Sequence, residues 1–145
     1  MTAASLPAAI GSALPNSLPD TDAQRLALLA IRRLGAHGLD DAGCVQAYVG
    51  AFGQGFRRPL TLMRCFLAEV ASSATGPIAI APCCCPRATA DENTLVDALA
   101  LALHRPQTAR LLLADLLGVR RPDSVVSSAA AVASAFADLG KPISA

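Results

Sequence analysis

Three consecutive cysteines are the residues of this 145-residue chain whose type and spacing point most directly to chemistry. They are Cys83, Cys84 and Cys85, and a proline stands on each side of them, at positions 82 and 86. A thiolate is both a ligand for soft metal ions and the nucleophile of thiol redox reactions. The triplet therefore suggests two kinds of site, a metal centre or a group of thiols that reacts with oxidants.

The metal hypothesis assigns Cys83, Cys84 and Cys85 as ligands of zinc or of an iron–sulfur cluster. Successive side chains of an extended segment point to opposite sides, so Cys83 and Cys85 would share one ion while Cys84 faces away. Two thiolates leave such a site open, because zinc and iron–sulfur clusters take about four protein ligands. The further candidates are Cys44, Cys65, His37 and His104. No C-x-x-C spacing occurs, so the fold would have to gather these ligands.

Thiol redox chemistry is the second hypothesis for the triplet. Arg87 and the N-terminus of a helix that begins near Thr89 both place positive potential near Cys85, which favours its thiolate. Adjacent cysteines close only a strained disulfide ring, so we expect the resolving thiol to come from another part of the fold or from another chain. The alternative is that the three cysteines are small apolar side chains that pack a proline-framed loop against the rest of the protein.

A cysteine–histidine enzyme is less well supported, since the chain has only two histidines. His37 lies in a glycine-rich turn, and His104 lies at the end of a predicted helix, where the helix dipole favours the protonated ring. Asp91 and Glu92 resemble an acid–base pair, but their places in the first turn of a predicted helix explain them as capping residues. The sequence therefore favours a non-enzymatic protein.

Charge and hydropathy limit the partners of this chain. Its net charge is +1, which provides no overall field for binding nucleic acid. Charged residues interrupt the apolar C-terminal half before it reaches the roughly 18 residues that a membrane span requires. Residues 1–19 contain three prolines and no basic residue, which is atypical of a signal or transit peptide. We therefore expect a cytoplasmic protein with reduced cysteines, and residues 1–19 as a disordered arm.

Apolar stripes and capping signals predict an all-α fold for residues 20–145, a single domain that forms a compact bundle of five or six helices. The predicted helices cover residues 21–34, 41–52, 59–73, 89–104, 106–117 and 123–139. A Pro/Cys-rich loop with a short extended piece at 77–80 connects the third helix to the fourth. Thr89 and Glu92 are predicted to form a capping box at the start of the fourth helix.

The last predicted helix carries a seam of small and apolar residues. Val125, Ala129, Val132 and Phe136 follow one another at spacings of four, three and four residues, which suits close helix packing. We interpret this seam as part of the core of one molecule. The alternative is an interface between two copies of the chain.

The segment IAIAPCCCPRATADE at 78–92, together with GFRRPL at 55–60, resembles an uncharacterised family of small bacterial domains of unknown function. Two later segments, LLADLLGV at 112–119 and FADLG at 136–140, fit the same family. The resemblance covers residues 25–143, and this chain differs from the family in carrying Ala88 where the family has methionine. The resemblance implies no activity, because none is associated with the family.

Together these features predict a non-enzymatic accessory or regulatory protein whose cysteine loop acts in metal binding or in thiol redox sensing. The alternative is a protein-interaction module that uses an Ala/Leu-rich surface and arginine pairs, with cysteines that only pack. Under either interpretation the partner would be another protein or a second copy of the chain.

Overall fold

The computed structural model of the protein describes residues 3–5 and 16–144. Six α-helices account for most of these residues, which confirms the predicted all-α fold. The helices are α1 (Asp22–His37), α2 (Ala42–Phe52), α3 (Arg57–Ser73), α4 (Ala90–Leu101), α5 (Pro106–Leu117) and α6 (Asp123–Asp138), and a short 3₁₀-helix (Gly53–Phe56) joins α2 to α3. Among the described residues, no helix is long and apolar enough to cross a membrane.

Local capping explains several of the helix ends. At the start of α2 the Asp41 carboxylate accepts a hydrogen bond from the Cys44 N–H at 2.8 Å, which satisfies one of the free donors of the first turn. At the end of α5, Gly118 adopts a left-handed conformation with φ of +70°. A Cβ at Gly118 would also collide with the Thr75 hydroxyl. Glycine is therefore required at this helix end.

The core lies where α6 packs against α3 and α5, while α4 packs against α1 and α5. Three aromatic rings, those of Tyr48, Phe52 and Phe136, link α2 to α6 with centroids 5.1 to 6.0 Å apart. Such separations are typical of favourable aromatic pairs. Ala129 and Val132 of the predicted seam are fully buried in α6. The seam therefore packs inside the molecule, in agreement with its interpretation as core.

Four short strands are found among the described residues: β1 (Ala3–Ser5), β2 (Asn16–Ser17), β3 (Ile78–Ile80) and β4 (Arg87–Ala88). β1 pairs in parallel with β3, so that Ser5 lies opposite Ile80. β2 pairs antiparallel with β4, so that Ser17 lies opposite Arg87. β3 corresponds to the extended piece predicted before the cysteines. The two pairings flank residues 81–86, which we call the cysteine loop.

The predicted disordered arm, residues 1–19, falls largely outside the described residues, which leave out 1–2 and 6–15. Of its described parts, residues 3–5 form β1 and residues 16–17 form β2. These two segments pair with β3 and β4, and the expectation of a disordered arm stays a prediction for residues 1–19.

Candidate functional site

The cysteines lie in a tight turn and not in an extended segment. The Cys85 N–H donates a hydrogen bond to the Pro82 carbonyl oxygen at 3.0 Å, which closes a turn with Cys83 and Cys84 at its central positions. Cys83 and Cys84 are exposed, whereas Cys85 is buried with 4% of its surface accessible. The expectation that Cys83 and Cys85 share one face is therefore wrong, because a turn removes the two-residue alternation of a strand.

A buried ion pair fixes this turn to α1. The Arg32 guanidinium donates to the Glu92 carboxylate, from Nε to Oε2 at 2.8 Å and from Nη2 to Oε1 at 3.2 Å. Only 3% of Arg32 and 0% of Glu92 is exposed. Arg32 also donates to the carbonyl oxygens of Cys85 at 2.9 Å and Arg87 at 2.7 Å. One side chain of α1 therefore holds the loop backbone on both sides of Pro86.

The Glu92 carboxylate gathers further donors from the loop. It accepts hydrogen bonds from the N–H groups of Ala81 at 3.2 Å and Thr89 at 2.9 Å. The Thr89 hydroxyl accepts from the Glu92 N–H at 2.9 Å, which confirms the predicted capping box. The same hydroxyl donates to the Ala79 carbonyl oxygen at 2.8 Å. Because a buried charge is tolerated only when it is paired and hydrogen-bonded, this network favours a single loop conformation.

Arg32 is the residue that sequence reasoning missed. It follows Leu28 by four residues and therefore lies on the buried face of α1, where Leu28 and Ile31 also lie. A charged side chain on such a face needs a partner inside the protein, and this was the available signal. The partner itself could not be identified from the sequence, because the capping box already accounted for Glu92.

A second arginine of α1 connects the turn to α2. The Arg33 guanidinium donates to the Asp41 carboxylate at 2.7 and 3.1 Å, which forms a bidentate ion pair. The hydrogen bond that Arg33 donates to Asp41 is the largest influence that raises the pKa of Arg33, and the Cys83 side chain adds to the effect. In turn, the hydrogen bond from Arg33 lowers the pKa of Asp41. The Arg33 guanidinium therefore interacts with the Cys83 side chain as well as with Asp41.

A pocket of about 420 Å³ opens beside the turn. This volume lies within the range of small-molecule sites. The leucines Leu18, Leu28 and Leu29 line it together with the three cysteines. Arg25 of α1 also lines the pocket. The exposed thiols therefore share a concave, mainly apolar surface with a cationic side chain.

The other candidate ligands do not complete a metal site. Within residues 3–5 and 16–144, no group of three or more His, Cys, Asp or Glu side chains is placed to hold a metal ion. Cys44 is buried, and burial raises the pKa of its thiol to about 11. Cys65 is exposed on α3, and both His37 and His104 are exposed. The geometry thus gives no support to zinc or an iron–sulfur cluster, each of which takes about four protein ligands.

The arrangement instead suits chemistry at one or two accessible thiols. Reactivity of cysteine towards oxidants and disulfides follows solvent access and thiolate character. Cys83 and Cys84 have the access, and Arg33 supplies positive charge near Cys83. Cys85, which the sequence favoured because of nearby positive potential, is buried. The candidate site therefore consists of the turn thiols Cys83 and Cys84, with Arg33 as the nearby cation.

A family model matches residues 8–121, and its description is a family of unknown function (DUF6628). Neither the curated proteins nor the solved structures include a significant match. The family match confirms the resemblance to an uncharacterised family, although it begins and ends earlier than the expected residues 25–143.

Proposed function

The chain belongs to this family of unknown function (DUF6628), and from its cysteine turn we propose that it is a thiol redox sensor of the regulatory type. Its sensing group consists of Cys83 and Cys84. The observation that carries the proposal is the contrast between these two exposed thiols and the buried ion pair that fixes their turn. The proposal places the protein in the cytoplasm, where unmodified thiols are kept reduced.

Rigidity of the turn supports this function. The Arg32 guanidinium contacts Glu92, the Cys85 carbonyl and the Arg87 carbonyl, so a large part of the loop is held by one buried group. A loop that served only to connect β3 to α4 would not need a buried ion pair, which costs several kcal/mol in desolvation for each ion. The fixed turn keeps Cys83 and Cys84 in solvent and prevents them from folding into the interior.

The charge near the turn supports it further. Arg33 is held by Asp41 in a bidentate pair, so its guanidinium keeps a fixed position while it also interacts with the Cys83 side chain. Preorganised positive charge stabilises the negative charge that develops during a reaction more effectively than a mobile side chain does. Cys83 is therefore the sulfur that we expect to be oxidised first, and Cys84 is the neighbouring thiol.

The chemical step uses a hydroperoxide as the oxidant. The Cys83 thiolate attacks the terminal oxygen of the hydroperoxide, an S–O bond forms and the O–O bond breaks. The sulfur is oxidised to a sulfenic acid, and the peroxide is reduced to an alkoxide or hydroxide, which takes up the proton released when the thiol ionised. A thiol of a partner protein or of a second copy then attacks the sulfenic acid, forming a disulfide and releasing water. Because a ring between adjacent cysteines is strained, the resolving thiol is not the neighbouring cysteine of the turn, and we assign it to a partner protein or a second copy.

The test compares two exposed environments within the same protein. Reduced protein is treated with hydrogen peroxide in the presence of a sulfenic-acid trap, and fragmentation of the resulting peptide locates the trapped sulfur. We expect oxidation at Cys83 or Cys84 to be about tenfold faster than at Cys65, which is exposed on a regular helix. The Arg33→Gln variant should lower the rate of oxidation at the turn thiols, and Arg33→Lys should restore part of that rate. Equal rates at Cys65 and the turn would refute the proposal.

A further inference from the structure

We infer that the pocket beside the turn selects an organic hydroperoxide that carries a carboxylate and an apolar chain, such as a fatty-acid hydroperoxide. This inference rests on the proposed function and names the class of oxidant that the site takes. It follows from three properties of the pocket: its apolar lining, the position of Arg25, and the presence of the turn thiols on the same surface.

The apolar lining distinguishes between oxidants. Hydrogen peroxide is small and polar, and it gains nothing from contact with leucine side chains. Leu18, Leu28 and Leu29 line the same pocket as Cys83 and Cys84, so an apolar chain bound there lies next to the reacting sulfur. Burial of each methylene group contributes about 0.8 kcal/mol. The pocket therefore favours a hydroperoxide with a hydrocarbon chain over hydrogen peroxide.

Arg25 supplies the charge that an acidic ligand needs. Its Nε donates to the Pro19 carbonyl oxygen at 2.7 Å, which helps to fix the guanidinium of this pocket-lining residue. Among residues 16–144 it forms no ion pair with an acidic side chain, unlike Arg32 and Arg33. The charge of Arg32 is balanced by the buried Glu92. Arg25 is therefore the lining arginine whose charge remains for a carboxylate of the ligand, and its planar donors suit that group.

The reaction in the pocket forms and breaks the same bonds as the general step with a hydroperoxide. The thiolate of Cys83 or Cys84 attacks the terminal oxygen of the R–O–OH group, and the O–O bond breaks. The products are a cysteine sulfenic acid and the corresponding alkoxide, which takes up one proton to become an alcohol. The carboxylate is unchanged in this step and serves only for binding at Arg25.

The experiment measures trapped sulfenic acid at the turn with three oxidants. These are linoleic acid hydroperoxide, its methyl ester, and hydrogen peroxide, all kept below the concentration at which the lipids aggregate. The methyl ester has the same chain and the same peroxide group but no charge. Free cysteine, treated in the same way, gives the reference ratios of the three rates.

We expect the acid to oxidise the turn about tenfold faster than its ester, after normalisation to free cysteine. The reason is that a hydrogen bond between charged groups strengthens binding by about this factor. Arg25→Gln should abolish the difference between acid and ester when both rates are divided by the rate of the same variant with hydrogen peroxide. The control is Arg120→Gln, at an exposed arginine that does not line the pocket. This variant should behave as the wild type.

The outcomes separate the inference from the proposal on which it rests. If the acid, the ester and hydrogen peroxide react in the ratios of free cysteine, while the turn remains faster than Cys65 with hydrogen peroxide, the inference is wrong and the redox function stands. If no oxidant modifies the turn faster than Cys65, both are wrong. An acid–ester difference that persists in Arg25→Gln would refute the role of Arg25 and with it the inferred recognition of a carboxylate.

Discussion

Arg32 and Glu92 are separated by 60 residues in the chain and joined by hydrogen bonds of 2.8 and 3.2 Å in the interior of the protein. Their contact connects the middle of α1 to the first turn of α4, and the cysteine loop is bound to both partners. The Arg32 guanidinium donates hydrogen bonds to the carbonyl oxygens of Cys85 and Arg87, and the Glu92 carboxylate accepts one from the Ala81 N–H. The position of the turn thiols therefore depends on this pair.

Removal of the buried cation should strongly destabilise the protein. We expect Arg32→Met to lower the free energy of unfolding by about 3–5 kcal/mol, because Glu92 would remain as an unpaired buried charge. Urea denaturation measures the change. The matched control is Arg58→Met, since Arg58 and its partner Asp138 are 54% and 58% exposed and such pairs contribute about 1 kcal/mol or less. Similar losses in both variants would contradict the importance assigned to burial.

A double variant tests the origin of that loss. In Arg32→Met with Glu92→Met, no charge is left without a partner, so part of the lost stability should return. If the double variant is less stable than either single variant, the contacts of these side chains to the loop outweigh the ion pair itself.

Alkylation should distinguish the five thiols by their burial. With a limiting amount of reagent near pH 7, we expect Cys83 and Cys84 to be labelled before Cys44 and Cys85, which are buried. Cys44 should be the slowest, because burial raises the pKa of its thiol to about 11. Peptide fragmentation identifies the labelled sulfur, and unfolded protein, in which all five thiols should react, is the control. Protection of Cys83 and Cys84 that is lost on chelation would instead indicate a bound metal.

The ion pair between Arg33 and Asp41 should make stability depend on acid pH. Because the folded-state pKa of Asp41 is lowered from its ordinary value of 3.8, the stability that it provides is present above that value and is lost as the pH falls through the folded-state pKa. Asp41→Asn removes the charge but keeps an oxygen that can accept from the Cys44 N–H. The variant should therefore be less stable than the wild type at neutral pH, and the difference should disappear in acid. Urea denaturation at a series of pH values measures it, and a difference that stays the same from neutral to strongly acid pH would contradict the assignment.

A charge in the seam of α6 should unfold the monomer. Ala129 is fully buried, so Ala129→Glu would place an unpaired carboxylate in the core and lower stability by more than about 4 kcal/mol. Ala137→Glu, at an exposed position of the same helix, should have a small effect. Circular dichroism and sedimentation measure folding and association. A folded Ala129→Glu protein that no longer self-associates would show that the seam is an interface between two copies.

The sequence alone was sufficient for the number and order of the helices and for several of their ends. Two ends differ: the first helix continues past the predicted residue 34 to His37, and the fourth ends at Leu101, before the predicted residue 104. The predicted fifth helix, 106–117, agrees with α5 (Pro106–Leu117), and the capping box of Thr89 and Glu92 lies at the start of α4. These features were accessible because helix caps and apolar stripes depend on residues a few positions apart. The family resemblance was also available from the sequence, since it depends on the order of residues alone.

Only the tertiary structure decided which cysteines are exposed and what holds them. Cys83, Cys84 and Cys85 have the same local composition, yet one of them is buried and two face solvent, because the Cys85 carbonyl is bound by a side chain from α1. Arg32 is buried because Glu92, far along the chain, offers it a carboxylate. Burial and pairing of charges depend on contacts between distant residues, and such contacts leave no local pattern in a single sequence from which they can be read.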